Sequence, residues 1–106
     1  MVINDLFDRE YKQSYTCNEF ACEAWEKITG ENLTERLNHH LNGIGDFEQL
    51  SEPISPCIAF FSRNPKSSTH VGLFYDQKIL HLSPRGVQHM PLEYVMMGFR
   101  TVSFYR

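Results

Sequence analysis

The chain has 106 residues, 42% of them apolar and 13% aromatic, with a formal net charge of −3, which suits one folded domain, 1–106, with a single modest core and not a disordered tail. The acidic balance and the lack of a Lys/Arg cluster argue against a nucleic-acid binder, and no apolar run approaches the roughly 18 residues of a membrane span. Met1–Tyr15 is too acidic and interrupted for a signal peptide, so the expectation is a soluble protein made in the cytoplasm, with any export left to other machinery.

Val2–Tyr11 reads as a short amphipathic helix with Ile3, Leu6 and Phe7 inward. A second helix is better marked: Thr16 is its N-cap, Glu19 completes a capping box, and Gly30 stops it. Phe20, Ala21, Ala24 and Ile28 recur within it at helical spacing, Trp25 widens the stripe, and Cys17 falls in the first turn. Thr34–Leu41 reads as a third helix ended by Asn42-Gly43, and Asp46–Leu50 as one further turn. Pro53 and Pro56 mark the change to strands. Cys57–Phe61 is a buried strand, Ser62–Ser68 a polar loop, and Thr69–Tyr75 and Lys78–Ser83 a hairpin. After a turn at Ser83-Pro84-Arg85-Gly86, Val87–Met90 extends the sheet, Leu92–Met97 is a helical turn, and Phe99–Tyr105 is the last strand. There is no repeat, low-complexity tract or linker.

Three cysteines give no even disulfide framework. Cys17 and Cys22 project from different sides of a helix and form no Cys-x-x-Cys pair, and no standard zinc spacing is present, so neither metal nor cofactor is expected. Cys22 and Cys57 lie among apolar residues as small core side chains. Cys17 has polar neighbours, and a helix N-terminus offers it partial positive charge and free N–H donors that favour a thiolate.

A base for such a thiol is found in the hairpin. If Asp76-Gln77 is a two-residue turn, Tyr75 pairs with Lys78, Phe74 with Ile79, and Gly72 with His81. His70, Gly72, Phe74, Ile79 and His81 then share one face, with His70 diagonal to His81 at roughly 7–8 Å between backbones, within reach of two imidazoles. Asp-Gln is not the favoured Asp-Gly pair, and an odd loop would separate the histidines. His39, His40 and His89 have no comparable setting and read as surface residues; Phe60, Phe61, Phe74, Phe99 and Phe104 read as core.

Together these residues resemble the NlpC family of papain-like cysteine peptidases, bacterial and phage enzymes that cut peptidoglycan stem peptides, and most of all its short versions near phage tail genes. Tyr15-Thr16-Cys17 leading into Trp25 is similar to the family's cysteine helix, His70-Val71-Gly72 to its His-Val-Gly strand, and Ile79-Leu80-His81 to its third polar position. The resemblance runs from about Tyr15 to the C-terminus. It departs at Ser55-Pro56-Cys57, where the family often has Pro-Gly-Asp, and at the substrate-side tyrosine, for which Tyr11 and Tyr15 are the candidates. The resemblance implies an α+β, papain-like fold, with N-terminal helices and the catalytic cysteine at a helix start packed on an antiparallel sheet.

The expected chemistry is acyl transfer to a Cys17 thiolate paired with protonated His70, with the oxyanion on the Cys17 N–H and His81 orienting His70. The resemblance supplies a peptidoglycan peptide as partner, the bond between D-glutamate and the diamino acid, and action at the cell wall or periplasm after delivery by a phage tail or secretion system, with an immunity protein as a further partner. The alternatives are an inactive tail-assembly or wall-binding module, or a related acyltransferase or deamidase.

Overall fold

The computed structural model describes residues 2–64 and 69–106; most of the expected Ser62–Ser68 loop therefore lies outside the described residues. In chain order the elements are α1 (Cys17–Thr29), α2 (Thr34–Leu41), β1 (Gln49–Leu50), β2 (Cys57–Ser62), β3 (His70–Tyr75), β4 (Lys78–Ser83), β5 (Gly86–Met90), α3 (Leu92–Val95) and β6 (Thr101–Tyr105). The six strands form one sheet in the order β1-β6-β2-β3-β4-β5, and every described pairing is antiparallel. The architecture is α+β.

Side-chain alternation divides the core between the two faces of this sheet. Val71, Leu73, Leu80 and Leu82 face α1 and pack with Phe20, Ala21, Ala24 and Trp25. Ala59, Phe61, Phe74 and Ile79 face the other way, toward Val95 of α3. Thus α1 lies on the β3–β4 hairpin, and its first residue, Cys17, stands near the start of β3.

Asp76 and Gln77 adopt φ of 54° and 65°, the positive pair that a type I′ hairpin turn requires. Their twist matches that of the strands, and the resulting register pairs Tyr75 with Lys78, Phe74 with Ile79 and Leu73 with Leu80. The expected two-residue turn is thus formed without glycine.

Several expected elements differ. The N-terminal helix is only a one-turn 3-10 helix, Asn4–Leu6; Ile3 and Leu6 are buried at the three-residue spacing of such a turn, but Phe7 is exposed. Asn4, Asp5 and Asp8 compete for backbone hydrogen bonds and offer a longer helix little support. Gln49–Leu50 is not helical but pairs with Tyr105 and Phe104 at the sheet edge, where Leu50 packs on the α3-side core. The Leu92–Met97 turn divides into α3 and a 3-10 turn, Met96–Gly98.

The αL conformation of Gln77 gives the hairpin a test. Gln77→Gly removes a Cβ penalty of about 1–2 kcal/mol, partly offset by the greater freedom of glycine in the unfolded chain, about 0.4–1 kcal/mol. Urea denaturation is expected to show stabilisation by up to about 1 kcal/mol; a loss of stability would mean that the turn is not formed as described.

Candidate active site

Cys17 is positioned by the chain on both sides of it. Before it, Lys12 and Tyr15 exchange backbone hydrogen bonds of 3.1 and 2.9 Å, closing a tight turn. Behind it, the Thr16 N–H and hydroxyl both donate to Glu19 Oε1 at 2.7 Å, and the capping box is formed. Its hydrogen bonds from Thr16 hold the Glu19 carboxyl below its ordinary range.

The two histidines come from the hairpin. His70 Nε2 and His81 Nδ1 are 2.9 Å apart and hydrogen-bonded, with the rings 82° from coplanar. The His70 ring also stacks on Phe99, 9° from parallel with centroids 5.3 Å apart, which fixes its plane. Gly72 opposite them makes the approach feasible: a Cβ there would lie 3.1 Å from the His81 Cβ and 3.3 Å from the Leu80 carbonyl oxygen. Any larger residue at Gly72 would push against His81.

Cys17, His70 and His81 line one cavity of about 550 Å³ at the end of β3 and β4, together with Tyr11, Arg63, Thr69 and Phe99. The cysteine comes from the helix side of the sheet and the imidazoles from the opposite face. Tyr11 is 45% exposed at the cavity edge. Tyr15, the other tyrosine considered for substrate, is committed elsewhere: its hydroxyl donates to Glu23, which also accepts from Arg9 Nη2 at 2.7 Å. Burial and the Glu23 carboxylate hold the Tyr15 phenol well above its usual range.

The electrostatics differ from the expected thiolate–imidazolium pair. Burial raises the Cys17 thiol and outweighs the backbone amides of Val71, Cys17 and Asn18, which act in the opposite direction. The helix terminus therefore contributes as anticipated but is the smaller effect. Burial, His81 and Arg63 bring His70 down to about 4, and burial also lowers His81 against the opposing pull of the Gln88 side chain. Among the described residues no hydrogen bond joins the Cys17 sulfur to either imidazole; its thiol faces Asn18 Oδ1 at 3.9 Å. These shifts all act against a standing thiolate–imidazolium pair and favour a neutral thiol with neutral imidazoles in the free protein.

Phe99, Arg63 and Thr69, with Leu82, Ser83 and Pro84 at the end of β4, are cavity residues that the sequence pattern did not disclose. Phe99 lies outside β6 and is half-buried: it packs against the α3-side core, with its ring 5.3 Å from that of Phe61, and it also stacks on His70. Phe60, Phe61, Phe74 and Phe104 are buried. His39 is exposed, but His40 stacks on Phe60 at 4.6 Å, and His89 bonds the Tyr75 carbonyl oxygen at 2.8 Å, so these two are half-buried. His40 is carried inward on the face of α2 that packs on the sheet, and His89 by its place in β5 opposite Leu80. Cys57 is buried and Cys22 half-buried, with both thiols raised by burial.

Among the described residues no group of three His, Cys, Asp or Glu side chains is arranged to hold a metal ion, and no helix is long and apolar enough to cross a membrane. No family model, curated protein or solved structure matches this chain.

Two measurements follow from the charge state. At pH 7 the free protein should show no thiolate absorbance near 240 nm that Cys17→Ser removes; such a signal would restore the preformed ion pair. The second is the pH dependence of stability. Above about 6.5 the ring of His70 is neutral in both folded and unfolded chains, while below it the unfolded chain takes up a proton that the native state refuses until about 4. Stability should fall as pH drops across that interval, and His70→Asn should flatten the profile; a profile unchanged by the substitution would contradict the burial of the ring.

Proposed function

We propose that this chain is a papain-like cysteine peptidase that hydrolyses an amide bond in peptidoglycan stem peptides through a Cys17 thioester. The observation that carries the reading is the convergence on one cavity of a thiol at a helix start and a hydrogen-bonded pair of imidazoles. Such a set is what nucleophilic catalysis by a thiol needs: nucleophile, base and a group that orients the base.

In this mechanism the neutral resting pair is activated by substrate. His70 Nε2 is engaged by His81, so Nδ1 is the nitrogen free to take the thiol proton. As the scissile carbonyl displaces water from the cavity, Cys17 Sγ attacks and His70 becomes imidazolium, opposite the developing oxyanion. The first-turn N–H of Cys17, at the start of α1, stabilises that oxyanion. His70 then protonates the leaving amine, the C–N bond breaks, and His70 deprotonates the water that cleaves the thioester. His81 remains neutral and holds the His70 ring. Tyr11, at the cavity edge, is the substrate-side tyrosine; Tyr15 is occupied by Glu23.

The substrate class rests on the resemblance of Tyr15-Thr16-Cys17, His70-Val71-Gly72 and Ile79-Leu80-His81 to the NlpC family. It implies a site of action at the cell wall, reached through a phage tail or a secretion system, with an immunity protein as a further partner. A formal charge of −3 gives no general attraction to an anionic wall, so a carrier would serve to raise local concentration. The second reading, an inactive wall-binding or tail-assembly module, is favoured by one observation, the elevated Cys17 thiol beside a depressed His70.

Digestion of purified sacculi separates the two. Mass spectrometry of the soluble products should show slow release of stem-peptide fragments that Cys17→Ala and His70→Ala abolish, with partial activity retained by His81→Asn, whose amide still orients the ring. Identical profiles from wild type and Cys17→Ala across several sacculus chemotypes would exclude the hydrolase and leave the binding module.

A further inference from the structure

His81 is the one buried polar side chain among the described residues, 5% exposed. Its Nδ1 is bonded to His70, but its Nε2 is fully buried and has no hydrogen-bond partner. Buried ring nitrogens are rarely left in this state, and one at the centre of a candidate site calls for an occupant.

The β4–β5 register names the nearest one. Gln88 pairs directly with His81, so both side chains project from the same face of the sheet. The Gln88 side chain is near enough to favour the protonated His81 ring, yet it lies outside hydrogen-bond geometry with Nε2.

Proton bookkeeping then assigns the bond a role. For His70 to accept a proton at Nδ1, its own proton must sit on Nε2 and be donated to His81 Nδ1. That nitrogen must then carry a lone pair, so the His81 proton must be on Nε2, the buried atom. With no acceptor there, the opposite tautomer is equally open: His81 would hold its proton on Nδ1 and donate to His70 Nε2, placing the His70 proton on Nδ1, where it blocks the base. An amide oxygen at His81 Nε2 decides between the two chains.

We propose that Gln88 is a positioning residue whose side-chain oxygen accepts a hydrogen bond from His81 Nε2–H, fixing both imidazole tautomers so that His70 Nδ1 is left open toward Cys17. The inference rests on the thiol-hydrolase reading for its purpose, but the tautomers are observable without turnover. Around the pair, β3 contributes His70 and β5 contributes Gln88, while Tyr11, Cys17, Arg63, Thr69 and Ser83 line the cavity; of these, Gln88 is the one that pairs directly with His81 in the sheet, and the Ser83 hydroxyl is engaged by Gly86 and Arg85.

Long-range 1H–15N spectra of the labelled full chain near pH 7 test it. Wild type should show both His70 and His81 protonated on Nε2. Gln88→Met, similar in shape but with no oxygen acceptor, should move both rings toward Nδ1–H and lower kcat by about 10–100-fold with little change in KM, the range that loss of an outer hydrogen-bond partner has for metal-ligating histidines. Gln88→Glu, which keeps an acceptor, should restore the wild-type tautomers. A wild-type spectrum with His81 protonated on Nδ1, or a folded Gln88→Met with unchanged tautomers, would overturn the assignment whether or not the protein cleaves sacculi. The expected tautomers in a protein without Cys17-dependent activity would instead sink the hydrolase reading and leave the Gln88 hydrogen bond standing.

Discussion

The register of the β3–β4 hairpin is the constraint on which the candidate site depends. Because side chains alternate across a strand, a slip of one residue would send either His70 or His81 to the α1 face and separate them by the thickness of the sheet. The two-residue turn at Asp76-Gln77 prevents that slip, and the burial of Phe74 and Ile79 on one face with Leu73 and Leu80 on the other reinforces it. Gly72 completes the arrangement, since a side chain opposite His81 would occupy the space that lets the imidazoles meet at 2.9 Å. The geometry of the pair is therefore a property of the sheet and not of a mobile loop, and the cost of keeping two non-glycine residues at positive φ is borne at the far end of the hairpin from the site.

A second competition governs the charge of the nucleophile. A helix terminus stabilises an adjacent anion by about 0.3–1 kcal/mol, and up to about 2 in partly buried geometry, whereas full burial can move a titratable group by about 3–5 pKa units. Cys17 is only partly buried, yet burial is still the larger effect on it. The same water exclusion depresses His70 and His81, so the site avoids charge on both partners at once. In the proposed mechanism this delays the ion pair until a carbonyl is present to share the negative charge, and it leaves the resting thiol less exposed to alkylation and oxidation than a standing thiolate would be.

The parts of the fold that the sequence disclosed are those set by local rules. The capping box at Thr16 and Glu19 and the left-handed Gly30 bracket α1 at the expected residues, and the hairpin register followed from pairing outward from a two-residue turn. What it hid depends on distant partners. Gln49–Leu50 is a strand only because Phe104 and Tyr105 offer it an edge. Ile3 and Leu6 are spaced equally well for an α or a 3-10 turn, so their burial in the α1-side core does not by itself tell the two apart. Phe99 reads as one more core aromatic, because nothing in the local pattern says that it stacks on His70. The thiol was expected to be acidic for the same reason: a helix start is visible in sequence, but its depth beneath solvent is not.

The N-terminal segment links these local and distant constraints. Arg9 holds Glu23 of α1 with a forked contact, Nε at 3.1 Å and Nη2 at 2.7 Å, and Tyr15 closes on the same carboxylate. Arg9 keeps the Glu23 carboxyl below its usual range, so the contact stays ionised through mild acid. Glu23 lies less than two turns along α1 from Cys17, and Tyr11 falls between Arg9 and Tyr15 in the chain. The segment that carries Tyr11 to the cavity edge is therefore clamped to the helix that carries the nucleophile. The imidazole pair, by contrast, is placed by the register of the sheet. Across the cavity, the Val71 backbone amide reaches the Cys17 thiol from β3, so the start of α1 is tied to the same strand that carries His70, and the nucleophile and its base are referred to one element of the sheet.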